Sequence, residues 1–148
     1  MSRSQKLFLE AMSHWPAGVT VVTSLDGDEI RGATVSSFTS LSVDPPQVIV
    51  CLKHDSRLLE SIRQSGLFCI NMLSDKQEDM SAAYARRDPE TPPLLIPEAY
   101  GYITCTLMEV LEPTNGTHVV VVGSADSSSV ETDESPLVYC NRGYRRLM

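Results

Sequence analysis

Gly32-Ala33-Thr34-Val35-Ser36-Ser37-Phe38-Thr39-Ser40-Leu41-Ser42-Val43-Asp44-Pro45-Pro46 decides how the rest of the chain is read. Six of the nine residues from 34 to 42 carry hydroxyls, and a proline pair closes the run. Prolines lack the N–H that a sheet ladder needs, so the pair marks the entrance of the next strand. The hydroxyls have two readings. Serine and threonine bond neighbouring backbone groups and so populate ordinary loops. They also hold anions, where hydroxyls and backbone N–H groups converge on a phosphate without a helix dipole. Beyond the prolines, Val48-Ile49-Val50-Cys51-Leu52 is a continuous apolar run that reads as a strand buried on both faces. Lys53 after it is either a solvated lysine or a charge serving the same anion.

Working outward, residues 4–15 place Leu7, Phe8, Ala11, Met12 and Trp15 at helical spacing, and Pro16-Ala17-Gly18 ends that helix. Extended runs over residues 19–23 and 30–36 are joined by Asp26-Gly27-Asp28, a hairpin signal because the turn needs positive φ. Downstream, residues 56–65 put Leu58, Leu59 and Ile62 on one helical face and stop at Gly66. A short buried strand over 68–73 follows. Ser74 with Gln77 forms a capping-box pattern for a helix over 75–86 that carries Met80, Ala83 and Tyr84. Four prolines make residues 88–97 a loop. Residues 102–110 alternate as a half-buried strand does. Asn115-Gly116 signals a second hairpin, into a strand over 117–125 and a polar loop over 126–135. The chain closes with a strand over 136–140, a turn at Asn141-Arg142-Gly143 and an extended tail over 144–147. Six or seven strands, two hairpins and three short helices predict one domain over residues 1–148. Its class is mainly β or α+β, an antiparallel barrel with helices around it.

The chain has 148 residues, with 12 Lys and Arg against 19 Asp and Glu, for a net charge of −7. A hydrophobic fraction of 42% with 21% charged residues excludes a wholly disordered chain. The acidic balance argues against generic binding to nucleic acid or an anionic membrane. No segment approaches the roughly 18 apolar residues of a membrane span, and Glu10 interrupts the apolar stretch that a signal peptide would need. Cys51, Cys69, Cys105 and Cys140 lack the close pairing of zinc or dithiol sites and read as buried thiols of a reducing cytoplasm. Neither a dinucleotide G-x-G-x-x-G nor a P-loop is present, and no serine stands in G-x-S-x-G. His14, His54 and His118 fall at no metal-ligand spacing. Doubly wound nucleotide binding, nucleophilic hydrolysis and metal catalysis are therefore disfavoured. His118, just after Asn115-Gly116, is either a surface residue or a polar contact in a redox pocket. Tyr139, Tyr144, Arg145 and Arg146 make a small aromatic and basic cluster near the C-terminus.

Several stretches, taken in order, resemble the flavin reductase-like family. They are F-x-x-x-M-x-x-x-P-A-G-V-T-V-V-T over residues 8–23, the 32–46 run, residues 48–52 and Ser56-Arg57. Phe68-Cys69-Ile70-Asn71-Met72-Leu73, Gly116-Thr117-His118, Pro136-Leu137-Val138-Tyr139 and Gly143-Tyr144-Arg145 continue the match. Within the family the chain is similar to the short-chain NAD(P)H:flavin oxidoreductases that serve two-component monooxygenases. The resemblance implies an antiparallel Greek-key split β-barrel with flanking short helices. It also implies a homodimer, FMN or FAD as flavin, NADH or NADPH as co-substrate, and a separate flavin-dependent monooxygenase as partner. By the same resemblance Thr34, Val35, Ser36, Ser37 and Ser40 belong to the flavin site, with Cys51, Leu52 and Lys53 across from them. Ser56 and Arg57 fall near the phosphate, and Tyr84 where an aromatic residue often stands. His118 is the catalytic candidate, and it and Tyr144 match positions that contact nicotinamide. The chain departs from the pattern twice. Ser56-Arg57-Leu58 replaces a common Ser-x-Thr, with Arg57 as the compensating group, and Gly116-Thr117-His118 replaces a common Gly-Asp-His. The rival expectation is a flavin-binding carrier or sensor module without reductase turnover. An oxidase of the pyridoxamine-phosphate type and a β domain for protein interaction rank below it.

Overall fold

A computed structural model describes residues 1–87, 89–131 and 133–148. In chain order the elements are α1 (Arg3–Ser13), β1 (Ala17–Gly18), β2 (Thr20–Asp26), β3 (Glu29–Val35), β4 (Phe38–Val43), β5 (Pro46–Lys53) and α2 (Arg57–Ser65). They continue with β6 (Leu67–Met72), α3 (Glu78–Tyr84), β7 (Gly101–Leu111), β8 (His118–Val130), β9 (Val138–Cys140) and β10 (Gly143–Arg145). Seven strands form one antiparallel sheet in the order β3-β2-β6-β7-β8-β5-β4, and β1-β9-β10 form a small second sheet. The larger sheet is not closed: β3 and β4 are consecutive in sequence yet stand at its two ends, as the split-barrel expectation requires. Ser36 and Ser37 carry the chain across that opening, where Cys51 N–H donates to Ser37 O at 3.2 Å.

Both predicted hairpins form, with Gly27 at φ 63° and Asn115 at φ 62°. The predicted stop of α2 is present too: Gly66 takes the left-handed conformation at φ 75° and its N–H donates to Ile62 O. The hydroxyl run is a correction to the loop reading, since residues 38–43 are the edge strand β4 paired with β5. Edge position explains it, because an exposed strand tolerates serine and threonine where a central one needs apolar side chains. Residues 48–52 alternate between buried and half-buried rather than being buried on both faces. The strand predicted over 117–125 runs on to Val130, so the first half of the expected polar loop is a ladder with β7 whose side chains face solvent. Residues 143–145 of the expected turn and tail pair with β9. The third helix is shorter than predicted. Gln77 makes no side-chain cap; its Oε1 accepts from Ser74 N–H at 3.0 Å and its Nε2 donates to Pro97 O at 2.9 Å.

The main core gathers Val22, Val50, Phe68, Ile70 and Val121 from the sheet with Leu59 and Ile62 from α2. Burying each such side chain contributes about 1.5–3 kcal/mol. A second cluster, Val19, Val21, Leu73, Tyr84, Ile96 and Leu137, joins the sheet to α3 and the C-terminal segment. Between them the wholly buried Asn71 pins the proline-rich loop to the barrel. Its Oδ1 accepts from Ile96 N–H at 2.8 Å and its Nδ2 donates to Val21 O at 2.9 Å. All four cysteines are free, but only Cys69 and Cys105 are buried; Cys51 and Cys140 are half-exposed, which corrects the expectation of four buried thiols. Burial pushes the Cys105 thiol up to about 12 and raises that of Cys69 as well. No residue of α1 is buried. Among the described residues no helix is long and apolar enough to cross a membrane.

Candidate functional site

The crossing at Ser36 and Ser37 opens a cleft of about 510 Å³. Thr34, Val35, Ser36 and Ser37 form one wall, Cys51, Leu52 and Lys53 of β5 the facing one, and Ser56, Tyr84 and His118 close the ends. Ladder pairing accounts for part of this convergence. Lys53 lies directly opposite His118 in the β5–β8 register, and opposed residues on an antiparallel ladder project from the same face. A second cleft of about 460 Å³ shares Ala33, Lys53, Ser56 and Arg86 with the first and contains Arg57. Two candidates stand apart from both clefts. Ser40 pairs with Val48 on the exposed edge strand. Tyr144 packs edge-on against Tyr139, with ring centroids 5.4 Å apart, and its hydroxyl lies 2.7 Å from Ser81 Oγ.

Hydrogen-bond accounting separates the hydroxyls by what each can still do. Thr34 Oγ1 donates to Ser81 O at 2.6 Å, which leaves it as an acceptor toward the cleft. Ser37 Oγ donates to Cys51 O at 2.9 Å and accepts from Cys51 N–H at 3.2 Å, so it mainly joins β5 to the crossing. Ser56 is the N-cap of α2, accepting from Leu59 N–H at 3.3 Å, and its own O–H remains to donate. That hydroxyl stands at the positive end of a helix beside Lys53, an arrangement suited to an anion. Thr117 Oγ1 lies 2.8 Å from His118 Nδ1, so a hydroxyl replaces the expected carboxylate as the group fixing the ring and leaves Nε2 to meet a ligand. Tyr84 is 8% exposed, and burial together with the charge of Glu90 raises its phenol above the ordinary value.

Sequence reasoning did not single out Arg86 and Arg87, which follow α3 and line the second cleft. Their signal was an adjacent cation pair ahead of a proline-rich loop. Nor did it explain Gly32. A Cβ there would stand 2.8 Å from Pro92 Cγ, so the glycine lets the loop approach β3 and wall the second cleft. Among the described residues no group of three or more His, Cys, Asp or Glu side chains could hold a metal ion. The donor set instead suits a long, partly planar anion. Apolar walls from Val35 and Leu52 are joined to an acceptor at Thr34 and to cations at Lys53 and Arg86.

The profile of the family described as "Flavin reductase like domain" matches residues 12–148. The reductase component of 4-hydroxyphenylacetate 3-monooxygenase from Thermus thermophilus is 35% identical, with 97% of each chain covered. A flavin reductase (NADH) from Kitasatospora aureofaciens is 32% identical over 94% of this chain and 80% of its own. Among solved structures, nitrilotriacetate monooxygenase component B from Mycobacterium thermoresistibile superposes with a TM-score of 0.90 at 29% identity. That superposition covers 98% of this chain and 87% of the other.

Proposed function

Because the chain belongs to the flavin reductase-like domain family, we propose that it transfers a hydride from NADH or NADPH to FMN or FAD and delivers reduced flavin to a separate monooxygenase. The carrying observation is the convergence of the 34–37 crossing, the end of β5, the head of α2 and His118 on one cleft. When bound, the flavin supplies the hydride-accepting chemistry itself. The chain's task is to bind, align and exclude. Lys53, the Ser56 hydroxyl and the N-terminus of α2 hold phosphate, with Arg57 beside them. Thr34 accepts from the ring, and Val35 and Leu52 keep water from its face. His118, oriented by Thr117, positions the nicotinamide. Hydride transfer requires no proton from a side chain.

Steady-state oxidation by wild type and His118→Ala, with nucleotide and flavin varied in turn, tests this reading. Wild type should oxidise NADH or NADPH only when flavin is present, and the variant should raise the KM for nucleotide several-fold more than that for flavin. No flavin-dependent oxidation by wild type contradicts the function. Equal shifts in both KM values contradict the role of His118.

The protein is further proposed to be a cytoplasmic homodimer. Free thiols fit a reducing compartment, which subcellular fractionation checks. The outward apolar side chains of α1 and the turn after it, Phe8 and Trp15 among them, together with Leu41 and Val43 of β4, supply surface that a single chain leaves in water. Light scattering should give the mass of two chains; the mass of one would contradict the dimer.

A further inference from the structure

Tyr144 stands outside both clefts, yet hydrogen bonds tie it to a residue that lines the first. Its hydroxyl lies 2.7 Å from Ser81 Oγ, and the carbonyl of Ser81 accepts from Thr34 Oγ1 at 2.6 Å. We propose that Tyr144 and Ser81 are positioning residues for flavin binding, acting through Thr34 by fixing which way its hydroxyl points. The proposal rests on the flavin site described under the proposed function. It replaces the nicotinamide contact that the resemblance implied for Tyr144.

Three observations carry it. First, α3 needs anchors from outside itself. Its seven residues start without a side-chain cap, and so short a helix is marginal unless tertiary contacts hold it. Ser81 supplies one anchor to β3 and one to β10, a turn before the helix end that meets the cleft. Second, the Ser81–Tyr144 pair is enclosed. Ser81 is 2% exposed, Tyr144 packs on the second apolar cluster, and the edge-on ring of Tyr139, its ladder partner, stands 5.4 Å away. A buried hydroxyl deprived of the phenol has no ready substitute in water. Third, the donor directions leave Thr34 a single role. The Ser81 carbonyl takes Ala85 N–H at 3.1 Å and uses its second lone pair on Thr34, so the threonine proton is committed and only lone pairs face the cleft. A ring N–H of the flavin is the donor that such an acceptor satisfies. If α3 shifted at Ser81, the Thr34 hydroxyl would turn and present its proton to the ring for part of the time, and that match would be lost. Tyr84, one turn further along α3, is held by apolar packing in the second cluster, so loss of the Tyr144 hydroxyl reaches the cleft through Thr34.

Riboflavin titration of the flavin-free protein tests the proposal, because riboflavin carries the ring without phosphate. Tyr144→Phe should weaken binding about fivefold, yet change it by less than about twofold in a Thr34→Val background, where the group it positions is gone. In a Thr34→Ser background, which keeps the hydroxyl, the loss should return. Ser81→Ala/Tyr144→Phe separates positioning from mere satisfaction of a buried hydroxyl: removing both partners should bring the melting temperature back toward that of wild type while the flavin affinity stays low. The KM for NADH or NADPH at saturating flavin should remain within about twofold of wild type in Tyr144→Phe. Unchanged riboflavin binding in Tyr144→Phe, additive losses with Thr34→Val, recovery of affinity together with stability in Ser81→Ala/Tyr144→Phe, or a loss confined to the nucleotide KM would each overturn the positioning role while leaving flavin reduction intact. Failure of wild type to bind any flavin would overturn both this role and the function on which it rests.

Discussion

Lys53→Glu is expected to weaken flavin binding on the order of 50-fold, with a thermal midpoint close to that of wild type when no ligand is present. The asymmetry follows from where the lysine sits. It is the last residue of β5, it is exposed, and it lines both clefts at their junction. Among the described residues it forms no ion pair, so folding has little to lose. Reversal both removes an attraction for phosphate and adds a repulsion, at a point where Ser56 and the head of α2 supply neutral donors. Lys53→Gln should weaken binding by a smaller factor, and added salt should narrow the gap between wild type and either variant. Flavin titration reads this directly. Riboflavin, which has no phosphate, should bind all three proteins alike. An equal loss for riboflavin would show that Lys53 supports the fold of the cleft instead of the phosphate.

Gly123→Val should destabilise the protein by about 3 kcal/mol or more and lower its melting temperature by roughly 10 °C. Gly123 pairs with Val48 and Leu107 in the middle of the large sheet. A Cβ at that position would stand 2.5 Å from Phe68 Cζ, 2.9 Å from its Cε1 and 3.1 Å from Cys105 Cβ. Phe68 is wholly buried, and Cys105 is 2% exposed, so neither can move aside into solvent. The glycine marks the tip of a ring packed closely against the backbone, which is what a glycine inside a strand often signifies. Against a total stability of about 5–15 kcal/mol the loss is large. Calorimetry checks it, and a melting temperature unchanged within about 2 °C would contradict the packing described around Phe68.

Much of this architecture was legible before any coordinates. Positive-φ turns at Gly27 and Asn115 and the left-handed Gly66 announce themselves because few residue types accept those conformations. The 32–46 run placed the end of β3 and the entrance of β5, and with them most of one cleft wall. What it hid was β4, because an edge strand shows the same serine and threonine content as a loop. The outer half of β8 was hidden for a similar reason. Residues 126–129 are polar because they face solvent on the stretch of β8 that pairs with β7 but no longer with β5, and the sequence pattern alone looks like a loop. Site residues divide along a different line. Lys53 and His118 converge through strand register, which periodicity can anticipate, and Thr34 meets them where the open sheet brings β3 round to β5. Arg86, Arg87 and Pro92 arrive through the folding back of a long loop pinned by Asn71, and nothing local in the sequence reports that contact. Tyr144 shows the converse: its tyrosine-arginine motif lies near the site in sequence pattern, yet its hydroxyl is engaged with Ser81 behind Thr34.

The central claim is that one cleft brings flavin and pyridine nucleotide together for hydride transfer. It is tested most directly by mixing the purified protein with flavin under anaerobic conditions and recording the visible spectrum before and after NADH or NADPH is added. The account predicts loss of the oxidised-flavin absorbance at a rate that saturates with nucleotide and greatly exceeds that of free flavin. Flavin that binds the protein but stays oxidised with both nucleotides would contradict it and identify the chain as a flavin carrier or sensor.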